Sequence, residues 1–105
     1  MLQIYPQDET FLYVRGNPES SSEDSPLFEQ VGVFADRRQT MPPLYLYELS
    51  NERLWNACRL GMTARDVITF LRRYAASPLP TKMQNHICTA MGRFGDLALY
   101  EVEGD

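Results

Sequence analysis

Residues 50–95 constrain the fold most, because this segment carries its own helix starts and stops. Ser50 precedes an amphipathic run that ends at Gly61, the pattern of an N-cap serine and of a left-handed glycine after the last turn of a helix. Thr63 and Asp66 have the spacing of a capping box, with aspartate in place of the usual glutamate. The segment therefore predicts one short helix followed at once by a second.

A third helix is predicted after a break that contains two prolines. Residues 77–80 read Ser-Pro-Leu-Pro, which cannot continue a helix. Thr81 and Gln84 again have capping-box spacing, and Gly95 is placed as the stop. Apolar residues recur at helical spacing in all three segments. The predicted core positions are Leu54, Trp55, Phe70, Leu71, Ile87 and Phe94.

The first 49 residues predict mainly strands and loops. Two short strands at 3–6 and 10–14 form a hairpin, and both faces of the second strand are apolar, so we expect it to be covered on both sides. Alternation over 44–49 predicts another strand. The sequence between the hairpin and the strand at 44–49 leaves two alternatives open: a short helix that Gly32 ends, or a strand over 31–34.

Together these segments predict a single α+β domain over residues 1–105, as the length also indicates. Strands and loops fill 1–49, a group of three short helices fills 50–95, and residues 97–102 predict a closing strand. We expect this last strand to pair with the one at 44–49.

The sequence contains no pattern that predicts an active site. It has no phosphate-binding glycine loop, and its one histidine, His86, has no neighbouring ligands at metal-binding spacing. We therefore expect no enzyme, no cofactor and a structural role for His86. Cys58 and Cys88 fall in predicted helices and no export signal precedes them, which predicts reduced core thiols and a cytoplasmic location.

The charge distribution suggests a contact surface. The chain has a net charge of −4, yet residues 51–95 hold seven basic residues and two acids. Such asymmetry is typical either of solvated helix faces or of an interaction surface for a protein or for DNA phosphates. The candidate contact residues are Arg59, Arg65, Arg72, Arg73, Lys82 and Arg93.

A series of short motifs also resembles a known family. In chain order they are Tyr45-x-Tyr47-x-Leu49, Leu54-Trp55-Asn56-Ala57, Gly61-x-Thr63-Ala64, Arg73-Tyr74, Pro78-x-Pro80 and Met91-x-Arg93-Phe94-Gly95-x-Leu97. Their order and spacing resemble the N-terminal accessory domain of XPB-type (superfamily 2) DNA repair helicases, especially the bacterial and archaeal members.

The resemblance implies a parent helicase that uses ATP and Mg²⁺ and acts in nucleotide excision repair. It implies that this domain precedes two ATPase lobes and docks a partner protein or the helicase core. None of the ATPase motifs occurs in these 105 residues, so the expected role is non-catalytic. The alternative is a DNA-binding or damage-sensing module that uses the basic helical face.

Overall fold

The computed structural model describes residues 2–20 and 22–103, with side chains described as far as Arg93. The described chain is an α+β domain with one antiparallel sheet, which confirms the predicted fold class. Its elements, in chain order, are β1 (Gln3–Pro6), β2 (Phe11–Arg15), α1 (Asp24–Phe34), β3 (Asp36–Met41), β4 (Leu44–Glu48), α2 (Asn51–Arg59), α3 (Ala64–Tyr74) and α4 (Thr81–Glu103).

The sheet has the strand order β1-β2-β4-β3, so β2 and β4 are central. Tyr5 of β1 faces Tyr13 of β2, and Tyr13 faces Leu46 of β4. The sequence analysis assigns no strand to residues 36–41, where the structure has β3. It lies at the edge of the sheet, and nearly all of its residues are exposed. An edge strand of this kind lacks the alternation of apolar and polar residues by which strands are recognised.

One face of the sheet forms the core with the helices. Leu12 and Val14 are fully buried there, and Phe28 of α1 makes an edge-to-face contact with Tyr45 at 5.0 Å between ring centroids. The opposite face is open: Phe11 and Tyr13 are only half-buried and lie outside the core cluster. The prediction that both faces of this strand are covered is therefore wrong.

The predicted helix signals in the middle of the chain are confirmed. Ser50 Oγ accepts a hydrogen bond from the Arg53 backbone N–H at 3.2 Å, as an N-cap should. Thr63 and Asp66 form a reciprocal capping box, with bonds of 3.2 and 2.9 Å. Gly61 has φ of 95°, which is the left-handed conformation predicted for a stop.

The predicted helix ends at two other glycines are wrong. Helix α1 continues through Gly32 to Phe34, which also excludes the alternative strand over 31–34. Helix α4 continues through Gly95 to Glu103, so the predicted closing strand at 97–102 is wrong as well. Glycine permits a left-handed stop without requiring one. Residues 97–103 include two leucines, one alanine and two glutamates, which are good helix formers.

The predicted core residues are not equally buried. Leu54, Leu71 and Ile87 are fully buried, while Trp55 and Phe70 are half-buried. The side chain of Phe94 lies outside the described residues. Both cysteines are free, but Cys88 is exposed and only Cys58 is partly buried, so the prediction of two core thiols is wrong for Cys88.

Candidate functional site

The six predicted contact residues all lie on the surface. Arg59, Arg65, Arg72, Arg73, Lys82 and Arg93 are exposed. Arg72 donates a hydrogen bond from Nη2 to Gln84 Oε1 at 3.2 Å, which joins α3 to the first turn of α4. None of the six forms an ion pair with a carboxylate in the described part of the chain, where the paired cations are Arg38 and Arg53.

These six residues do not form one patch. Three of them lie within α3, namely Arg65, Arg72 and Arg73. Arg59 lies at the end of α2 beside a separate groove. Lys82 lies near the turn between β1 and β2. There, backbone N–H groups of Phe11 and Thr10 hold the pKa of Asp8 below its usual range, and the charge of Lys82 adds to the effect. Arg73 lies beside Gln3 of β1, where both line one cavity of about 360 Å³.

The strongest polar cluster is structural and joins α1 to α2. Asp36 accepts a hydrogen bond from Ser50 Oγ at 2.6 Å and one from Arg53 Nε at 2.8 Å. Burial acts to raise the pKa of Asp36, but these bonds and the nearby guanidinium charges outweigh it and lower the pKa. Arg53 also donates to the Gly32 carbonyl at 3.3 Å, so it supplies the cation that the last turn of α1 lacks.

Asn56 completes this junction. Its Nδ2 donates to the Val33 carbonyl at 3.0 Å. Val33 is in the last turn of α1, where backbone carbonyls have no partner within the helix. An asparagine in the middle of α2 therefore caps the C-terminus of α1.

Trp55 lies in a groove of about 540 Å³ that is lined by residues of both charges. Its Nε1 donates to the Ala90 carbonyl at 2.9 Å, which fixes the indole between α2 and α4. The lining residues are Asp36, Glu52, Arg53, Trp55, Asn56 and Arg59, so two carboxylates balance two guanidiniums. The geometry gives Trp55 a role in helix packing and gives the groove no net charge to attract an ion.

His86 also has a structural role. Its Nε2 lies 2.7 Å from the Leu49 carbonyl. Because a carbonyl can only accept, Nε2 must carry the proton and donate. This bond ties α4 to the end of β4. No metal-binding group of His, Cys, Asp or Glu occurs among the described residues, and no helix described there could cross a membrane.

The open sheet face is the surface that the sequence did not predict. We define it as the solvent side of β1, β2 and β4, formed by Gln3, Tyr5, Phe11, Tyr13, Arg15, Leu44, Leu46 and Glu48. The signal was present in the alternation of the hairpin strands. The prediction of cover on both sides is wrong because sequence alone does not show which apolar face meets the core.

These features define a small α+β module with one open sheet face and exposed arginines on its helices. Residues 9–104 match the family described as the helicase conserved C-terminal domain, and the chain belongs to that family. No curated protein matches the chain significantly. The chain is therefore a helicase-associated domain, as expected from its motifs.

Proposed function

We propose that this chain is a non-catalytic accessory domain of an XPB-type DNA repair helicase, which docks on the helicase core or on a repair partner protein. The main support is the structural role of its most recognisable motif, residues 54–57. Leu54 and Ala57 are buried, Trp55 binds the Ala90 carbonyl and Asn56 binds the Val33 carbonyl. One tetrapeptide thus joins α1, α2 and α4, so residues that carry the resemblance also hold these helices together.

The proposal assigns ATP and Mg²⁺ to the parent helicase, with this chain acting beside it in the cytoplasm. The one histidine supports a non-catalytic role, because its ring is already bonded to the Leu49 carbonyl. The test is DNA-dependent ATP hydrolysis and unwinding of a forked duplex by the complete natural polypeptide that carries this domain. The same protein without residues 1–105 is compared with it.

We expect the isolated domain to hydrolyse no ATP, and its removal to reduce unwinding more than ATP hydrolysis. If the complete protein does not hydrolyse ATP and no ATPase co-purifies with it, the helicase assignment is wrong. If removal of the domain leaves unwinding unchanged, the docking role is wrong.

A second candidate function is direct DNA binding through the basic face of α3. Its support is that Arg65 and Arg73 are exposed without a carboxylate partner in the described chain. Charge reversal at Arg65 and Arg72 should then abolish binding of the domain to duplex DNA at low salt. Binding that survives the reversal would place any DNA contact on another surface.

A further inference from the structure

We propose that the open sheet face binds single-stranded DNA, with bases stacked on Tyr5 and Tyr13 and phosphates held by Arg15 and Arg73. The inference rests on the proposed function only for the choice of DNA, since a helicase produces single strands. The site itself is argued from the positions of these four side chains.

The two tyrosines form a neighbouring pair on the solvent side of the sheet. Tyr5 and Tyr13 are direct partners in the register of β1 and β2, which brings their side chains together on one face. Both are half-buried and belong to no core cluster, so part of each ring remains accessible. They line one groove of about 410 Å³ together with Arg15. Aromatic rings on an open sheet face are a known platform for stacking unpaired bases.

Two cations lie beside Gln3, at one end of this pair. Arg15 is exposed, faces Gln3 in the register of β1 and β2, and lines a second cavity with Gln3. Gln3 in turn lines the cavity beside Arg73. Neither arginine pairs with a carboxylate in the described chain. A path of guanidinium, amide and aromatic groups therefore runs from the end of α3 onto the sheet.

Two carboxylates toward the other end of this face are already engaged within the fold. Glu48 faces Phe11 and is neutralised by Arg38, whose Nη2 lies 2.8 Å from Glu48 Oε1. Asp8 accepts backbone hydrogen bonds from Thr10 and Phe11 in the turn. The phosphates are thus expected at the Arg15 end, where the surface presents amide and guanidinium groups.

The geometry favours a single strand over a duplex. A stacking platform needs bases whose flat faces are free, and in a duplex those faces are already stacked on their neighbours. A purely apolar protein partner would account for Phe11 and Leu46 but would leave the two arginines without a counter-charge. Protein docking on this face is therefore an outcome of the test that would overturn the proposal.

The test is fluorescence anisotropy of an end-labelled oligothymidine titrated with the 105-residue chain at low and at physiological salt. A length of about 15 nucleotides covers the site size of a small single-strand-binding domain. We expect measurable binding at low salt, weaker binding to a duplex of equal length, and about ten-fold lower affinity for Tyr13→Ala. Tyr13→Phe keeps the ring and should bind like the unmodified chain.

A charge variant provides a second measurement with little risk to folding. Arg15→Gln with Arg73→Gln should reduce the slope of log affinity against log salt by roughly 0.7 for each lost phosphate contact. The matched control is Arg59→Gln, an exposed arginine at the end of α2 that lines the Trp55 groove, which should leave the slope unchanged. Thermal melts of every variant establish that it is folded.

The fluorescence of the single tryptophan shows which surface the bound DNA strand occupies. Trp55 lies in the helical groove, so its fluorescence should stay unchanged while the label reports binding. Absence of oligothymidine binding at low salt, equal binding by Tyr13→Ala, or quenching of Trp55 would each overturn the proposal. A domain that supports unwinding but fails these tests would leave the proposed function standing. A domain that passes them without a parent ATPase would refute only the helicase assignment.

Discussion

Replacing Asn56 by alanine tests whether a tertiary hydrogen bond or helix propensity dominates the contribution of this residue to stability. Asn56 lies in the middle of α2, where alanine is the better helix former by about 0.5–0.7 kcal/mol. On propensity alone, Asn56→Ala should stabilise the protein. The structure predicts the opposite sign, because the Asn56 amide donates to the Val33 carbonyl in the last turn of α1.

The magnitude follows from the bond and its surroundings. Losing the donor leaves a partly buried helix-terminal carbonyl without its protein partner, which costs about 1–3 kcal/mol. Subtracting the propensity gain gives a net loss of roughly 0.3–2.5 kcal/mol in the free energy of unfolding. Asn56→Asp should cost more, because it places a carboxylate against the negative end of the α1 dipole.

Urea denaturation followed by circular dichroism measures both variants, with the slope checked for constancy. Asn85 provides the control, since it lies in the second turn of α4 and is exposed. Asn85→Ala should stabilise by about the propensity difference. If Asn56→Ala is as stable as the unmodified protein or more stable, the cap on α1 contributes nothing and this reasoning is refuted.

Three further perturbations test the packing and the electrostatics. Asp36 has a pKa below its unfolded value, so its contribution to the stability of the folded protein is complete above about pH 4 and is lost as pH falls through the folded pKa. Asp36→Asn should therefore lower stability at neutral pH and flatten the acid side of a stability–pH curve. A Cβ at Gly16 would lie 2.9 Å from the buried Phe28 ring, so Gly16→Ala should cost about 1–3 kcal/mol in a thermal melt, while Gly32→Ala, which points into open space, should not destabilise. Trp55→Phe removes the hydrogen bond to an α4 carbonyl that also accepts within the helix. Denaturation should therefore show a loss of only about 0.5–1.5 kcal/mol from that bond. A much larger loss would mean that the indole contributes more to packing than its half-burial indicates.

The sequence was most informative where a structure depends on nearest neighbours. The cap at Ser50, the box at Thr63 and Asp66, and the stop at Gly61 each need only three or four adjacent residues. The strands at 3–6 and 44–48 were also predicted, because their alternation is local. These features could be predicted before any tertiary contact was known.

Features that depend on distant residues could not be predicted in this way. Strand β3 has no apolar alternation and is held by pairing with β4, including an irregularity between Arg37 and Gln39. The third predicted cap also differs: α4 begins with the Pro80 carbonyl accepting from Gln84 N–H, while the Gln84 side chain binds the Leu79 carbonyl. The same spacing thus gave a capping box at Thr63 but another arrangement at Thr81.

For the candidate site, the sequence predicted the exposed arginines but not their separation. Helical periodicity places Arg65 and Arg72 on one side of α3, as observed. It cannot show that Arg59 lies in a different groove, or that Arg73 meets β1 at Gln3. The open face was missed because it is assembled from three strands that only the sheet order brings together.

The net charge of −4 is a poor guide to what these surfaces bind. Several carboxylates are occupied by the fold: five of them cap, pair with or bind neighbouring groups, namely Asp8, Asp24, Asp36, Glu48 and Asp66. Arg15 and Arg73 have no such partner in the described chain. Because charges more than about 8–10 Å apart are screened at physiological salt, a bound phosphate responds mainly to the nearest guanidinium. An overall acidic domain can therefore present a locally cationic edge to a single strand, and the salt dependence of binding should follow Arg15 and Arg73 more closely than the total charge.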